Sequence, residues 1–548
     1  IMRKISLSLC LLALLPLTMR AQSTYDKGFE IAKNLEIFSN IYRNIHLNYV
    51  DEIDPGKTMK VAIDAMLASL DPYTNYYPES NIEDVKLQML GEYGGVGSVI
   101  TMKDSNIYIA EPYQGMPVDE AGLKAGDRIV AVNGVSTKGK DVGAVSEAMR
   151  GQAGTQVTLT VERNGETLER TLTRKEIKFP AVPYYGFVAG DMGYIKLDEY
   201  TKGAAQQVAD AFKALRKERP QMRGLILDLR GNGGGLMDQA VDIVNLFLPK
   251  GELIVETKGK IASKNMKSFT RMAPIDTEIP VAVLMDGSSA SASEITAGSL
   301  QDLDRAIIIG HRSYGKGLVQ NILPMSYNTQ MKVTVSKYYI PSGRCIQAID
   351  YAHRDADGKA IKVPDSLKTA YKTRAGRTVY DGFGIEPDVE LPVEYMSTLA
   401  MALESKQLVF EYATQFYYAH PTIDSADKFV ITDEIYNDFK QFLASKDYSY
   451  KTVTESILSD LREAAKEEEY LESIGAEIDR LEARFKADKQ SDLDRHRDEI
   501  ADLLRAEIVT RYYYNRGCLK AMLTTDPFVA KAVEVLSDKA QYNKLLGK

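Results

Sequence analysis

Three short apolar runs constrain this chain more than any other feature: Leu225 to Leu229, Val281 to Met285 and Ala306 to Ile309. Each is four or five residues long, apolar at every position but Asp228, and followed by glycines or small polar residues. A strand that alternated apolar and polar would cover a core with one face only, whereas near-continuous runs of this length fit strands buried on both faces. Helical periodicity between them, for example from Ala204 to Leu215, gives the alternation of a parallel sheet sandwiched by helices. An α/β core over about 176–398 follows.

That core accounts for less than half of the chain. At about 150 residues per domain, 548 residues predict three to four domains. With 44% hydrophobic and 26% charged residues the chain is of ordinary globular composition, which excludes a mainly disordered or polytopic membrane protein. Sixty-eight Lys and Arg against 76 Asp and Glu leave a net charge of −8, with no bulk attraction for phosphate backbones, so no nucleic-acid partner is expected. The three cysteines do not make a disulfide scaffold; of these, Cys345 and Cys518 are read as free thiols unless the fold brings them together.

Ahead of the core the pattern changes twice. Arg3 and Lys4 precede an apolar run from Ile5 to Leu17, with Ala21 before Gln22, which is the charge, core length and exit of a secretory signal over 1–21. Export to the periplasm or cell envelope is the expectation. Residues 22–88 read as a small helical module: Ile31, Leu35, Phe38, Ile41, Tyr42 and Ile45 recur at three and four, and Pro55 opens a second helix that ends near Leu70. Residues 89–175 are β-rich, with strands at Ile107 to Ala110, Arg128 to Val132 and Val157 to Glu162. A helix runs from Val142 to Met149, and Asn133-Gly134 and Asn164-Gly165 are strand-reversing turns. The entry Gly95-Val96-Gly97 exposes successive N–H groups beside a strand edge, which suits capture of a peptide carboxylate and addition of the peptide as a further strand; an ordinary turn is the alternative. Beyond 398 the strand signal fades, and Ile474, Ile478, Leu481 and Phe485 predict packed helices over 399–548, the last opened by Asp526-Pro527 and running through Leu536.

Chemistry concentrates after the apolar runs. Asp286 to Ile295 reads DGSSASASEI, so a serine stands where a strand turns into a helix, whose first N–H groups and positive dipole end suit an oxyanion. From the residues alone Ser289, Ser291 and Ser293 are alternatives. A serine nucleophile needs a base; no histidine accompanies a carboxylate in a triad pattern, and Lys316, between Gly315 and Gly317, is the candidate, with Gln320 placed to orient an amine. The lysine pKa must fall from about 10.4 to near 7, which requires a dry site. LILDLRGNGGGL, Leu225 to Leu236, offers loop N–H groups for a second oxyanion donor. Gly310 to Lys316 spells G-x-x-x-x-G-K, but Gly317 replaces the hydroxyl that would hold magnesium, so no nucleotide is expected; Ser313 and Lys316 spell S-x-x-K, with glycines opposing the helix that motif needs.

These stretches resemble the carboxy-terminal processing (tail-specific) serine peptidases, exported enzymes with a PDZ domain ahead of a ClpP/crotonase-like core. The matching motifs are LDPYT (Leu70 to Thr74), GVG (Gly95 to Gly97), GLKAGDRIVAVNG (Gly122 to Gly134), DLRGNGGG (Asp228 to Gly235), SASASEI (Ser289 to Ile295), YGKG (Tyr314 to Gly317) and GIEPD (Gly384 to Asp388). The resemblance implies Ser291 as nucleophile, Lys316 as general base, Gln320 as the residue that orients the lysine, and the N–H groups of Ala292 and Gly234 as the oxyanion hole. It implies Gly95, Val96 and Gly97 as the carboxylate loop, and Arg150 as a residue coupling peptide binding to activation. It further implies protein substrates with apolar C-termini and no metal or other cofactor. A homo-oligomer or an adaptor contact through the helical ends is compatible with this reading, and a peptide-binding scaffold with a silent core is the rival one.

Overall fold

The computed structural model describes residues 27–79, 92–489 and 491–548, so the signal predicted at 1–21 lies outside them. The chain forms two compact units, 1–76 and 77–548. In the first, the predicted helices span 27–48 and Pro55–Ala68. Pro55 stands at the first helical position and Asp54 caps it, accepting from Lys57 N at 3.1 Å. The LDPYT stretch is an Asx turn, Asp71 accepting from the N–H groups of Tyr73 and Thr74.

The core of the second unit is a six-stranded sheet in the order Tyr184–Val188, Met192–Lys196, Gly224–Asp228, Val281–Met285, Ile307–Gly310, Val389–Glu390. The first pair is antiparallel and every later pair parallel. Successive residues of each strand point to opposite faces, and both faces are covered. On one, Leu225, Leu227, Val281, Val283 and Ile308 pack against the helices Ala204–Glu218, Met237–Asn245 and Ala292–Asp302. On the other, Ile226, Ala282, Leu284, Ile307 and Ile309 pack against Val529, Ala532, Val535, Leu536 and Tyr542. Two buried faces are the reason for the near-continuous apolar runs.

The second face is covered by the helices of 527–545. Asp526 caps the helix Pro527–Ser537 as predicted, accepting from Phe528 N and Val529 N, but a further helix, Lys539–Leu545, follows. Both pack on the core sheet. An amphipathic pattern states that a face is buried, not against what.

An antiparallel sheet flanks the core. In it Gln330–Tyr339 pairs with Leu318–Pro324 and with Leu253–Gly259, which in turn pairs with Met266–Phe269. The β-rich module has strands Ser98–Lys103, Asn106–Pro112, Arg128–Val132, Gln156–Arg163 and Glu166–Thr173 in that spatial order, with the helix Val142–Met149 on its core. A separate ribbon, Glu92–Gly95 with Lys175–Lys178, closes its base. Asn133 (φ 49°) and Gly134 (φ 74°) form the predicted turn, and Asn164 with Gly165 another. The remaining helices, among them Leu408–Ala419, Asp433–Leu443 and Arg497–Met522, bury their own core around Phe439, Leu443, Ile500 and Ile508. Val453–Glu467 and Leu471–Lys489 form a hairpin around Leu458, Ala465 and Ile478. Cys345 and Cys518 are both free.

Candidate active site

Three neighbouring parallel strands end on the same edge, and their loops converge: 229–236 after Gly224–Asp228, 286–291 after Val281–Met285, and 311–317 after Ile307–Gly310. The carboxyl edge of a parallel sheet is where such folds place ligands, because loops diverge there and leave a crevice. The third loop runs into the strand Leu318–Pro324, not into a helix. That removes the element which a phosphate loop or a helical S-x-x-K pair requires.

The structure separates the three candidate serines. Ser289 is fully buried; its Oγ donates to Leu229 O at 2.9 Å and accepts from Asp286 N. Ser293 is equally buried and donates to Asn232 O at 2.9 Å. Both hydroxyls hold loops together. Ser291 is partly exposed, caps the helix Ala292–Asp302, and has φ 56° and ψ −110°, a conformation that costs about 1–3 kcal/mol for a residue with a Cβ. Such a turn throws the side chain outward at a helix N-terminus. Ala292 N–H belongs to the first turn, whose donors have no intrahelical acceptor.

Glu294, which sequence reasoning took only as part of the helix, is the hub. It is fully buried, and its carboxylate accepts four hydrogen bonds. Oε1 receives Ser313 Oγ at 2.5 Å and Gly315 N at 2.7 Å; Oε2 receives Ser291 N at 2.7 Å and Lys316 N at 2.9 Å. One oxygen atom therefore joins the backbones of Ser291 and Lys316. Burial pushes the Glu294 pKa up from the usual glutamate value, and the four donors oppose that shift. The S-x-x-E spacing of Ser291 and Glu294 is a capping-box signal that could have found half of this arrangement. Ser313 completes it, accepting from Ile385 N at 2.6 Å.

The glycine loop closes the other side. Gly234 (φ 101°) lies so near the serine turn that a Cβ would stand 2.7 Å from Ala290 O and 2.9 Å from Ala292 N. Its N–H, assigned above to the oxyanion hole, donates instead to Asn232 Oδ1 at 2.9 Å. Asn232 is fully buried, donates to Leu197 O and accepts from Ala290 N, so it fixes the loop against the serine turn. Gln320 lies opposite Thr334 in the hairpin, beside a register shift, and donates to Thr334 Oγ1 at 3.0 Å. Behind the loop, Asp228 is buried and accepts from Tyr194 OH and from Arg230, whose guanidinium also grips Asp526. Burial alone would raise the Asp228 pKa, but Arg230, Lys196 and Tyr194 outweigh it and hold it below the usual value.

In the β-rich module, Val96 is buried in the core, Val96 O accepts from Val118 N, and Gly97 (φ 76°) accepts from Tyr113 N through its carbonyl. Gly95 ends its strand. A narrow groove runs between the strand from Ser98 and the helix Val142–Met149, lined by Val96, Gly97, Ile100, Ser146, Met149 and Arg150. Arg150 stands 5.1 Å over the ring of Tyr93 at the groove mouth.

Comparison with known proteins matches three stretches of the chain. A model of peptidase family S41 covers residues 191–353, a PDZ-domain model 108–163, and a model described as "Probable PDZ-protease, C-terminal helical domain" 399–536. The chain is 38% identical over 349 residues to a carboxy-terminal-processing protease of Bartonella bacilliformis, 63% of this chain and 78% of that one. It is 30% identical over 337 residues to a probable CtpA-like serine protease of Staphylococcus aureus, 61% of this chain and 65% of that protein. Among solved structures, a photosystem II D1 C-terminal processing protease aligns at 27% identity and a TM-score of 0.36, over 67% of this chain and 89% of that one.

Proposed function

The chain belongs to peptidase family S41, among the carboxy-terminal-processing proteases, and from that premise we propose an exported serine endopeptidase that holds an apolar C-terminal tail in its PDZ groove and cuts the polypeptide with a Ser291–Lys316 dyad. One observation carries the reading: of the serines 289, 291 and 293, Ser291 alone is left partly exposed, on a strained turn, with its backbone clasped to that of Lys316 by a single carboxylate oxygen.

Ser291 Oγ attacks the scissile carbonyl as the neutral Lys316 amine takes its proton. The ammonium then protonates the leaving amine, and water, deprotonated by the same lysine, releases the acyl group from Ser291. The amide of Gln320 orients the lysine without adding a charge that would hold the amine protonated. Ala292 N–H, at the positive end of its helix, supplies one oxyanion donor. The second comes from the glycine loop; Gly234 serves once its N–H leaves Asn232 Oδ1 for the substrate oxygen. Gly95, Val96 and Gly97 receive the tail carboxylate, with Arg150 beside them. Export rests on the charge and apolar run at the amino terminus.

The test is labelling by a serine-directed fluorophosphonate, followed by cleavage of a protein ending in an apolar tail. The wild type labels and cuts, Ser291→Ala does neither, and Lys316→Ala labels slowly and does not cut at neutral pH. Full cleavage by Ser291→Ala would overturn the assignment, and an unlabelled, inactive wild type would favour a binding scaffold.

A further inference from the structure

The PDZ strand Ser98–Lys103 is an edge strand among the described residues, but its edge is not open along its whole length. Asp104 (φ 48°) and Ser105 (φ 59°) form a two-residue turn flanked by the pair Lys103 and Asn106. In such a hairpin the flanking pair exchanges hydrogen bonds, and bonded pairs alternate with unbonded ones. Thr101 opposite Tyr108 is therefore bonded, whereas Ile100 and Met102, with Ser98 in the same phase, turn their N–H and C=O groups toward the free edge. A peptide added antiparallel to this edge, its carboxylate at Gly95 to Gly97, pairs its last residue with Ser98, its third from last with Ile100 and its fifth from last with Met102.

The position at Met102 is occupied. Gln407, in a left-handed conformation (φ 52°) just ahead of the helix Leu408–Ala419, donates from Nε2 to Met102 O at 3.1 Å and to Thr101 Oγ1 at 2.7 Å. One turn along that helix, Glu411 pairs with both Lys103 and Lys446, which fixes the helix against the end of the strand. Gln407 Oε1 is buried without a donor among the described residues. A side chain held at such cost, from a strained backbone, takes the place that a peptide N–H would fill.

We propose that Gln407 is a stop which confines strand addition to the last four residues of a bound tail, so that the helical region sets how much of the substrate the PDZ groove reads. The inference rests on tail recognition by this groove. Residues upstream of the fourth from last leave the sheet at Met102, free to lead toward the protease core, and their side chains and backbone contribute nothing to docking.

The full chain carrying Ser291→Ala tests this with fluorescent tail peptides of four and eight residues. The two bind within about twofold of each other, and N-methylation of the fifth-from-last nitrogen changes nothing. In Gln407→Ala, or in Gln407→Glu, which keeps the length but has no N–H to donate, the eight-residue peptide gains about tenfold, the worth of two net hydrogen bonds, and N-methylation removes the gain. A wild-type preference for the longer peptide that N-methylation abolishes would refute the stop, and that measurement needs no variant at position 407. C-terminal amidation separates the underlying reading: if amidated and free peptides bind alike, tail recognition itself fails, and the stop fails with it.

Discussion

Replacing Glu294 in two ways, by Gln and by Ala, asks whether one buried carboxylate couples the serine and lysine loops. In Glu294→Gln the cheaper orientation keeps the oxygen on Ser291 N and Lys316 N and turns the NH2 toward Ser313 and Gly315. Ser313 Oγ can rotate to accept from it, but Gly315 N–H loses the oxygen that accepts from it. One buried unpaired donor costs about 1–3 kcal/mol, and the charge assistance to the remaining bonds is lost. Activity falls by about tenfold, with the fold intact. Glu294→Ala strips three backbone N–H groups at once, about 3–6 kcal/mol when water entering the vacated space satisfies part of the loss. That is a large share of a typical 5–15 kcal/mol stability. With the serine turn no longer tied to Lys316, displacement of the reacting groups by 1 Å would cost about a hundredfold in rate. Urea midpoints read the stability, kcat/KM on a tailed substrate and the fluorophosphonate labelling rate read the site, and circular dichroism checks that each variant folds. The coupling is refuted if Glu294→Ala, folded, labels and cuts at the wild-type rate, or if Gln and Ala are equally damaging.

Gly234→Ala would place a Cβ under 3 Å from Ala290 O, Ser291 Cβ and Ala292 N at a left-handed φ of 101°; it is expected to cost about 1–3 kcal/mol and to abolish labelling, whereas Gly233→Ala, with open space around it, leaves labelling within a few-fold. Asp228 is held below its usual pKa in the folded state, so its contribution is fully present above the unfolded value of about 3.9 and is lost as pH falls through the lower folded value; urea midpoints between pH 5 and pH 2 should show an acid slope that Asp228→Asn reduces, while at neutral pH that variant costs about 3 kcal/mol by leaving Arg230 half-paired. A chain ending at residue 525 uncovers Ile226, Ala282, Leu284, Ile307 and Ile309, each fully buried, at about 1.5–3 kcal/mol for each Ile or Leu side chain; it should accumulate in the insoluble fraction, and soluble, active protein from that truncation would contradict the packing described.

What could be read from the sequence, and what could not, divides along the range of the interactions involved. The strands from Val281 and Ile307 were legible because burial on both faces leaves its mark residue by residue. Asp526-Pro527 was legible because a cap and a first-turn proline are local chemistry, and its bonds to Phe528 and Val529 are where they were expected. The face that the last two helices cover was not, since Val529 to Leu546 meet Ile226 and Ala282 across about half of the chain, and helical periodicity carries no address for its partner. The serine cluster shows the same limit at a smaller scale. Ser289, Ser291 and Ser293 are chemically identical and two residues apart; what distinguishes them is that Leu229 O and Asn232 O, from another loop, consume two of the hydroxyls. Glu294 was half visible, through its spacing to Ser291, because that bond closes within one helical turn. Its other donors, Ser313, Gly315 and Lys316, arrive from the neighbouring strand and depend on the parallel order of Val281–Met285 beside Ile307–Gly310. The site is therefore a property of the sheet: adjacent strand ends bring the serine turn and the lysine loop within reach of one carboxylate, and any rearrangement that separated those strands would dissolve the site while leaving every motif in place.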